Sequence, residues 1–289
     1  MPVLKLSRFI AVILLSAIML LPVASPASPQ PSKEYIMGIF PFLPVANLEG
    51  IFAPISAELS TALGKPVKLR LTGTYDSFIS TLKEDNFDII HIHPFDYVKF
   101  GRPMGYQPLV ARSEDLFAQF SVKNGSRIAK INDLKGKRVG TPPATGAVTY
   151  LALDALYKAG ITPTKDVSIK NFPNHLACVQ QLQIGNVDAC ATSASTLKIF
   201  EAQFGLKFKR IGTSITIPHT MFAVHPRVPA KDREIIRNTL LATTLATVNP
   251  RLRELFIESG STTTGRYFKP VSDKDYDPAR KILTRLGIK

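Results

Sequence analysis

The residues of this sequence with the clearest chemical potential are its histidines. His91 and His93 stand two residues apart at the end of a predicted strand, so their side chains point to the same side. With His175 and His219 from other loops, they could form a zinc-type site. No carboxylate or cysteine stands at a standard ligand spacing from them. Two unrelated strand-end histidines are therefore the favoured interpretation.

Enzyme signatures are absent from the sequence. It contains no G-x-S-x-G, no phosphate loop ending in Gly-Lys-Ser/Thr, no G-x-G-x-x-G and no H-E-x-x-H motif. No pair of a nucleophile and a base can be recognised either. We therefore predict that the protein is not an enzyme and uses no cofactor.

Polar loop segments could bind an anion instead. Thr141-Pro-Pro-Ala-Thr-Gly146 precedes a predicted helix, and the N–H groups there and the Thr145 hydroxyl could hold an anion. An ordinary capped loop explains the same residues, because Pro and Gly are common in turns. Tyr75 could offer its phenol to a ligand or be a half-buried loop aromatic. His175 could donate to an anion from the start of its helix or satisfy a backbone carbonyl.

The elements that must position these loops alternate between strand-like and helix-like segments. Predicted strands cover residues 35–40, 67–71, 88–92, 138–140, 167–171, 187–192, 208–212 and 220–224. Predicted helices lie between them, with Asn47, Asp76 and Asn174 as N-caps, and a long helix covers 230–247. This alternation predicts an α/β fold with largely parallel sheets. Such sheets bind ligands in the crevice beyond the carboxyl ends of their strands, where the polar loops fall.

The first residues carry a targeting signal. Lys5 and Arg8 precede an apolar run over residues 9–23, and small residues follow. This order is typical of a secretory signal peptide, with cleavage predicted after Ala27. Residues 28–32 are predicted to be a linker, and we expect the mature protein in the periplasm.

Charge and cysteine content give weaker indications. The net charge is +14, but Lys and Arg are scattered, the sequence has no Trp, and nothing resembles a nucleic-acid module. We therefore expect no nucleic-acid partner. Cys178 is predicted on a helix and Cys190 on the next strand, and the two elements run in opposite directions. Two buried, unpaired cysteines are slightly favoured over a disulfide, and both states stay open.

Several segments together resemble one protein family, the periplasmic solute-binding proteins of phosphate/phosphite/phosphonate-type ABC transporters. The resembling segments are Gly38-Ile-Phe-Pro41, Leu59-Ser-Thr-Ala-Leu-Gly-Lys-Pro-Val67, Thr74-Tyr75, Phe87-Asp-Ile-Ile90, Pro94-Phe-Asp-Tyr97, Asp133-Leu-Lys-Gly-Lys-Arg-Val139, His175 and Gly185-x-Val-Asp188. Each segment is common among such proteins, and it is their order and spacing that are specific.

The resemblance implies a class II periplasmic-binding fold, in which two α/β lobes close on a ligand. Lobe 1 would comprise residues 33–120 plus 218–289, and lobe 2 residues 121–217. Two crossing strands would lie near 117–122 and 215–222. The implied function is capture of a small solute, with an oxyanion as the first guess, by a monomer that delivers it to an ABC-transporter permease.

The resemblance also implies a ligand site with departures from the family pattern. Tyr75 and His175 occupy positions that contact the oxyanion in relatives. The family's Ser-Thr-Ser-Gly helix start is here Pro143-Ala144-Thr145-Gly146, which keeps one of three hydroxyls. An acidic residue of the family is replaced around His219.

A second departure concerns lobe 1. His93 stands where relatives have Gly, and Asp96 occupies a usually small or hydroxyl position. A carboxylate there would repel an anion unless it is paired, for instance with His93. The predicted ligand-binding residues are Tyr75, His93, Asp96, Ala144, Thr145, Gly146, His175 and His219.

Two other functions remain as alternatives. The altered cleft is compatible with a sensor accessory that reports a ligand to a membrane kinase instead of a permease. The histidines His91, His93, His175 and His219 leave a metal-binding protein as the other alternative.

Overall fold

The structure is a computed structural model that describes residues 34–244, 250 and 265–288. The predicted signal peptide and linker lie outside the described residues. Among the residues described, no helix is both long and apolar enough to cross a membrane.

Strands and helices alternate as predicted, with further strands after residue 106. The strands are β1 (Tyr35–Ile39), β2 (Val67–Leu71), β3 (Ile89–Ile92), β4 (Gln107–Arg112), β5 (Asp115–Leu116), β6 (Gln119–Lys123), β7 (Arg138–Thr141), β8 (Ser168–Asn171), β9 (Ala189–Thr192), β10 (Phe208–Thr213), β11 (Ile217–Pro218), β12 (Met221–Val224) and β13 (Phe268–Pro270). The helices are α1 (Val45–Leu63), α2 (Tyr75–Lys83), α3 (Pro94–Asp96), α4 (Ala147–Lys158), α5 (His175–Ile184), α6 (Ala194–Phe204), α7 (Ala230–Ala242) and α8 (Asp277–Arg285). A π-helical turn, Tyr97–Gly101, continues α3.

The strands form two larger mixed sheets, whereas largely parallel sheets were expected. The first sheet has the order β13-β4-β12-β3-β1-β2, and β12 runs antiparallel to both β3 and β4. The second has the order β10-β6-β9-β7-β8, and β6 runs antiparallel to β9 and β10. We call the elements around these sheets the first lobe and the second lobe. In both, the strands that lead into the site loops are parallel, which keeps those loops at one edge.

A small antiparallel ladder joins the crossings between the lobes. In it, β5 pairs with β11, with Leu116 opposite Ile217. The chain passes from one sheet to the other on either side of this ladder, close to the predicted crossing segments 117–122 and 215–222. The residue boundaries predicted for the lobes stay a prediction.

Each lobe has its own core. In α1, Ile51, Phe52, Ile55 and Leu59 follow the helical period and pack on the first sheet. In the second lobe, α4 buries Leu151 in a separate cluster.

Helix α8 also belongs to the second cluster. It contributes Ala279, Ile282 and Leu283 there, so the last helix packs on α4 although the predicted division assigned it to lobe 1.

The predicted N-cap of α5 is confirmed, and that of α2 differs. The Asn174 side chain accepts from the Ala177 N–H, as predicted for the start of α5. Helix α2 is capped instead by Thr74, which accepts from the Ser77 N–H, so Asp76 lies inside the first turn.

Two other predicted helix ends were wrong. Helix α1 begins two residues before Asn47, after Pro44. Helix α7 ends at Ala242, where Thr243 turns extended, and the rest of the predicted helix falls outside the described residues from 245 on.

Cys178 and Cys190 form a disulfide, which corrects the favoured expectation of unpaired cysteines. Their Cα atoms are 6.0 Å apart. Cys178 lies one turn into α5, about 4.5 Å from its start, and Cys190 lies about 6.6 Å from the end of β9. Helix α5 starts at the edge of the sheet where β9 ends, and the two elements run in opposite directions. The two cysteines therefore lie at similar distances from that edge, which brings them together. Gly140 of β7 leaves room, since a Cβ there would lie 3.1 Å from the Cys178 Sγ.

The disulfide should contribute substantially to stability. Replacing both cysteines by Ser is expected to lower the free energy of unfolding by about 3 kcal/mol, because a short closed loop in the unfolded chain is released. Urea denaturation measures this, and a reductant should destabilise the wild type without changing the double variant. Equal midpoints for oxidised and reduced wild type would contradict the prediction.

Candidate ligand-binding site

A buried carboxylate organises the first-lobe side of the site. Asp96 has no solvent exposure, and its Oδ1 accepts the Tyr75 hydroxyl at 2.7 Å. His93 Nε2 lies 2.6 Å from Oδ2, and Lys99 Nζ lies 3.3 Å from Oδ1. The Asp96 N–H donates to His93 Nδ1, so Nε2 is the ring nitrogen that faces the carboxylate. The pairing that would be needed for an Asp at this position is therefore present.

These partners keep Asp96 ionised. Burial alone would raise the pKa of its carboxyl group, but His93, Tyr75 and Lys99 outweigh burial and hold that pKa below its ordinary value. The same contact acts oppositely on the phenol. Burial, together with the charge of Asp96, raises the pKa of Tyr75 above its ordinary value, so its proton stays on the oxygen.

Contacts from this cluster reach the second lobe. Lys99 Nζ donates to the Tyr150 hydroxyl of α4 at 3.2 Å. The rings of Phe95 and Tyr150 have centroids 4.8 Å apart. Tyr150 is the fourth residue of α4. The start of α2, which carries Tyr75, and the first turn of α4 therefore face each other across the two lobes.

The predicted anion loop leads into α4. Within the described chain, no side chain caps α4, whereas Asn174 caps α5 and Ser193 caps α6. Ala144 and Thr145 are exposed and Gly146 is half-buried. An uncapped first turn presents N–H groups and the positive end of the helix dipole, which favours an anion.

Side chains outside the loop hold its shape. Thr149 Oγ1 donates to the Pro143 carbonyl at 2.9 Å, and the Gly146 N–H donates to the same carbonyl at 2.8 Å. At the other end of the loop, Asn171 Nδ2 donates to Thr141 Oγ1 at 2.7 Å.

His175 is held as a neutral donor. Its Nδ1 accepts the Ser193 N–H at 3.3 Å and lies 2.9 Å from Thr192 Oγ1. A ring nitrogen that accepts a backbone N–H carries no proton, so Nε2 is the protonated nitrogen. Burial lowers the pKa of His175 to about 4. The disulfide one turn further along α5 fixes this helix against β9, which supplies Thr192.

His219 has the same arrangement. Its Nδ1 accepts the Thr220 N–H at 2.7 Å, which leaves the proton on Nε2. Burial is the main cause that lowers the pKa of His219 well below its ordinary value, and Arg112, His91 and His175 act in the same direction. His219 is therefore a neutral ring, as His175 is.

His91 is packed among aromatic rings. The centroids of the Phe52 and Phe222 rings each lie 4.9 Å from its own, and Phe40 and Phe42 follow at 5.6 and 6.0 Å. Burial and the charge of Arg112 lower the pKa of His91 to about 3.

Phe40 contacts two of the histidines considered for a metal site, His91 and His93. Its ring lies 5.5 Å from that of His93 as well as against His91, so it packs on both imidazoles. No three His, Cys, Asp or Glu side chains in the described part of the chain are placed to hold a metal ion.

The structure thus assembles part of the predicted site. Tyr75, His93 and Asp96 meet beside α4. His175 is held instead by Thr192 and Ser193 at the end of β9, and His219 by Thr220. Sequence reasoning missed Lys99 and Tyr150. Lys99 follows Asp96 by three residues on a predicted helix, a spacing that would have indicated an ion pair.

Comparison with known proteins agrees with this architecture. A family model described as "ABC transporter, phosphonate, periplasmic substrate-binding protein" matches residues 37–276.

Solved structures share the fold at low identity. PhnD1 from Prochlorococcus marinus, in complex with methylphosphonate, is 15% identical with a TM-score of 0.70 over 88% of this chain and 98% of that chain. A binding protein component of an ABC phosphonate transporter from Pseudomonas aeruginosa is 16% identical, with a TM-score of 0.65 over 89% and 87%. The periplasmic aliphatic sulphonate binding protein SsuA from Escherichia coli is 15% identical, with a TM-score of 0.63 over 89% and 87%.

The buried histidines predict acid sensitivity. As the pH falls below 6.5, the unfolded chain binds protons on His219 and His175 that the folded protein does not accept. The contribution that these two histidines make to stability is therefore fully present above pH 6.5 and is lost as the pH falls toward 4. Each such histidine should contribute a slope of up to about 1.4 kcal/mol per pH unit.

Urea denaturation between pH 7.5 and 4.5 should show this dependence of the free energy of unfolding on pH. His219→Gln should reduce the slope by about the amount that one histidine contributes. Identical slopes for wild type and variant would mean that His219 is accessible to protons in the folded state.

Proposed function

The chain belongs to the family of periplasmic substrate-binding proteins of phosphonate ABC transporters, and we propose that it captures a small phosphonate-type oxyanion between its lobes. Proteins of this family bind a small-molecule ligand and work with a membrane transporter. They are not enzymes. The proposal concerns which ligand this chain takes and which residues bind it.

The observation that carries the proposal is the uncapped start of α4 opposite Tyr75. Lys99 bridges the two sides by contacting both Asp96 and Tyr150. An oxyanion held there could accept from the Thr145 hydroxyl and from the N–H groups that follow Gly146. This arrangement compensates in part for the two hydroxyls that the loop lacks relative to the family.

The histidines supply further donors. His175 and His219 each direct their Nδ1 to a backbone N–H, so their Nε2–H groups are available to a ligand. Both rings stay neutral at physiological pH because their pKa values are lowered by burial. Neutral donors suit a small, singly charged anion better than they suit a metal ion or a cation.

The ligand's other end should be apolar. Phe40 and Phe42 cover His91 beside the site, and Phe42 is 37% exposed. Asp96 has no solvent exposure and already lies against Tyr75, His93 and Lys99, so it offers no free carboxylate to an amine. A short alkyl phosphonate such as methylphosphonate, the ligand of the Prochlorococcus marinus protein, fits both features.

The remaining parts of the proposal follow from the sequence. We propose that the signal peptide is cleaved after Ala27 and that the mature protein acts as a monomer without nucleic acid. The lobes would comprise residues 33–120 plus 218–289 and residues 121–217.

Removing one donor should weaken ligand binding. His175→Ala is expected to lower the affinity for methylphosphonate about ten- to a hundredfold, as for loss of a hydrogen bond to a charged group. Isothermal titration calorimetry on the mature protein measures the effect.

His225→Ala is the matched control, because His225 lies at the opposite end of β3 and pairs with Asp85. Equal losses in both variants, or no binding of any oxyanion by the wild type, would contradict the proposed function.

A further inference from the structure

We propose that this site selects oxyanions that still carry a proton, and that the Tyr75–Asp96 pair makes the selection. The inference rests on the proposed function, since it concerns the same site. It names the ligand as the monoanion of a phosphonic or phosphorous acid, with one P–OH group, rather than a fully ionised sulfonate, sulfate or phosphonate dianion.

The first step concerns the single proton of Tyr75. A phenol has one O–H to donate and otherwise only lone pairs. Tyr75 donates that O–H to Asp96 Oδ1 at 2.7 Å. Tyr75 is half-buried and Asp96 has no solvent exposure, so we place the ligand against the phenol oxygen and not against the carboxylate. The ligand therefore meets an acceptor at Tyr75.

The second step is that Asp96 has no proton of its own to donate to the phenol. His93 Nε2 at 2.6 Å and Lys99 Nζ at 3.3 Å hold the carboxylate in place and keep it ionised. An ionised carboxylate accepts only, so the hydrogen between the two oxygens always comes from Tyr75. Asp96 thus acts as a positioning residue through Tyr75.

The third step is the complementary arrangement across the cleft. The start of α4 and His175 Nε2 offer donors, which suit unprotonated oxygens. An oxyanion bound between the two sides needs acceptors toward α4 and one donor toward Tyr75. A hydrogen phosphonate supplies both. A sulfonate would place an oxygen lone pair against the Tyr75 lone pair, and such a mismatch is strongly rejected.

The charged and titratable groups around Tyr75 and Asp96 do not change which of the two donates the hydrogen bond. They are His93 and Lys99 beside Asp96, Asp76 in the first turn of α2, and Tyr150 from α4. Burial and the charge of Asp96 raise the pKa of Tyr75, so the phenol stays protonated.

His175, with a pKa lowered to about 4, stays neutral above pH 6. The ligand's second ionisation should therefore control affinity in that range.

Calorimetric titration of the mature protein between pH 6 and 9 tests the inference. The ligands are methylphosphonate and its mono- and difluorinated analogues, whose second ionisation occurs at progressively lower pH. Affinity should be constant below the second pKa of each ligand and fall about tenfold per pH unit above it. The pH at which the fall begins should move with the ligand. Methanesulfonate, which has no second ionisation, reports any titration of the protein itself and should bind weakly at every pH.

Two variants test the role of the pair. Asp96→Ala frees the Tyr75 O–H to donate, so methanesulfonate and the phosphonate dianion should bind about tenfold more tightly. Tyr75→Phe, which alters packing least, should abolish the dependence on the ligand's pKa. Asp76→Ala removes a carboxylate one residue away without touching the phenol and should behave as the wild type.

The outcomes separate this inference from the proposed function. Oxyanion binding that is undiminished at high pH, or that begins to fall at the same pH for every ligand, would overturn the inference alone. The same holds if Tyr75→Phe retains the wild-type pH profile. Absence of binding by any oxyanion at any pH would overturn both.

Discussion

An ionised carboxylate without solvent contact needs hydrogen-bond donors and positive charge inside the protein, and the residues around Asp96 are arranged to meet that requirement. Removing a carboxylate from water costs several kcal/mol unless donors replace the lost hydration. Asp96 obtains its donors from α2 through Tyr75, from the end of β3 through His93, and from the π-helical turn through Lys99. Since each donor comes from a different element, the carboxylate fixes the position of all three relative to one another. It also determines what Tyr75 can offer to a ligand.

Backbone N–H groups determine which nitrogen of each imidazole carries the proton. His93, His175, His219 and His225 each accept a backbone N–H at Nδ1. Each ring therefore presents Nε2–H to its surroundings. Where burial also lowers the pKa, as for His175 and His219, the ring becomes a fixed neutral donor. In the proposed site, these neutral donors and the paired carboxylate of Asp96 would distinguish ligands by where their protons are rather than by net charge.

The sequence predicts much of the α/β order because strand and helix periodicities are local. The start of α5 at His175 and its cap Asn174 follow from adjacent residues alone. The short strand β13 carries too little pattern, because its role comes from pairing with β4, which is distant in sequence. The Cys178–Cys190 bond does not follow from the directions of the helix and the strand alone, because it depends on how far each cysteine lies along its element. Likewise, Asp96 and His93 could be named from the sequence, whereas the contact of Lys99 with Tyr150 depends on how the lobes meet.

The segment Pro94–Gly101 connects the site to the motion expected of two lobes. Phe95 is buried in the cluster that contains α4 and α8, and Tyr97 is buried in a first-lobe cluster with Phe78. A segment anchored in both cores must stay near the axis of any rotation between the lobes, because displacement there would expose apolar surface on one side. Asp96 lies between these two anchors. Its contacts with Tyr75 and Lys99 should therefore be among those least disturbed when the lobes move. The acceptor that we propose at Tyr75 would then be in place before the cleft closes.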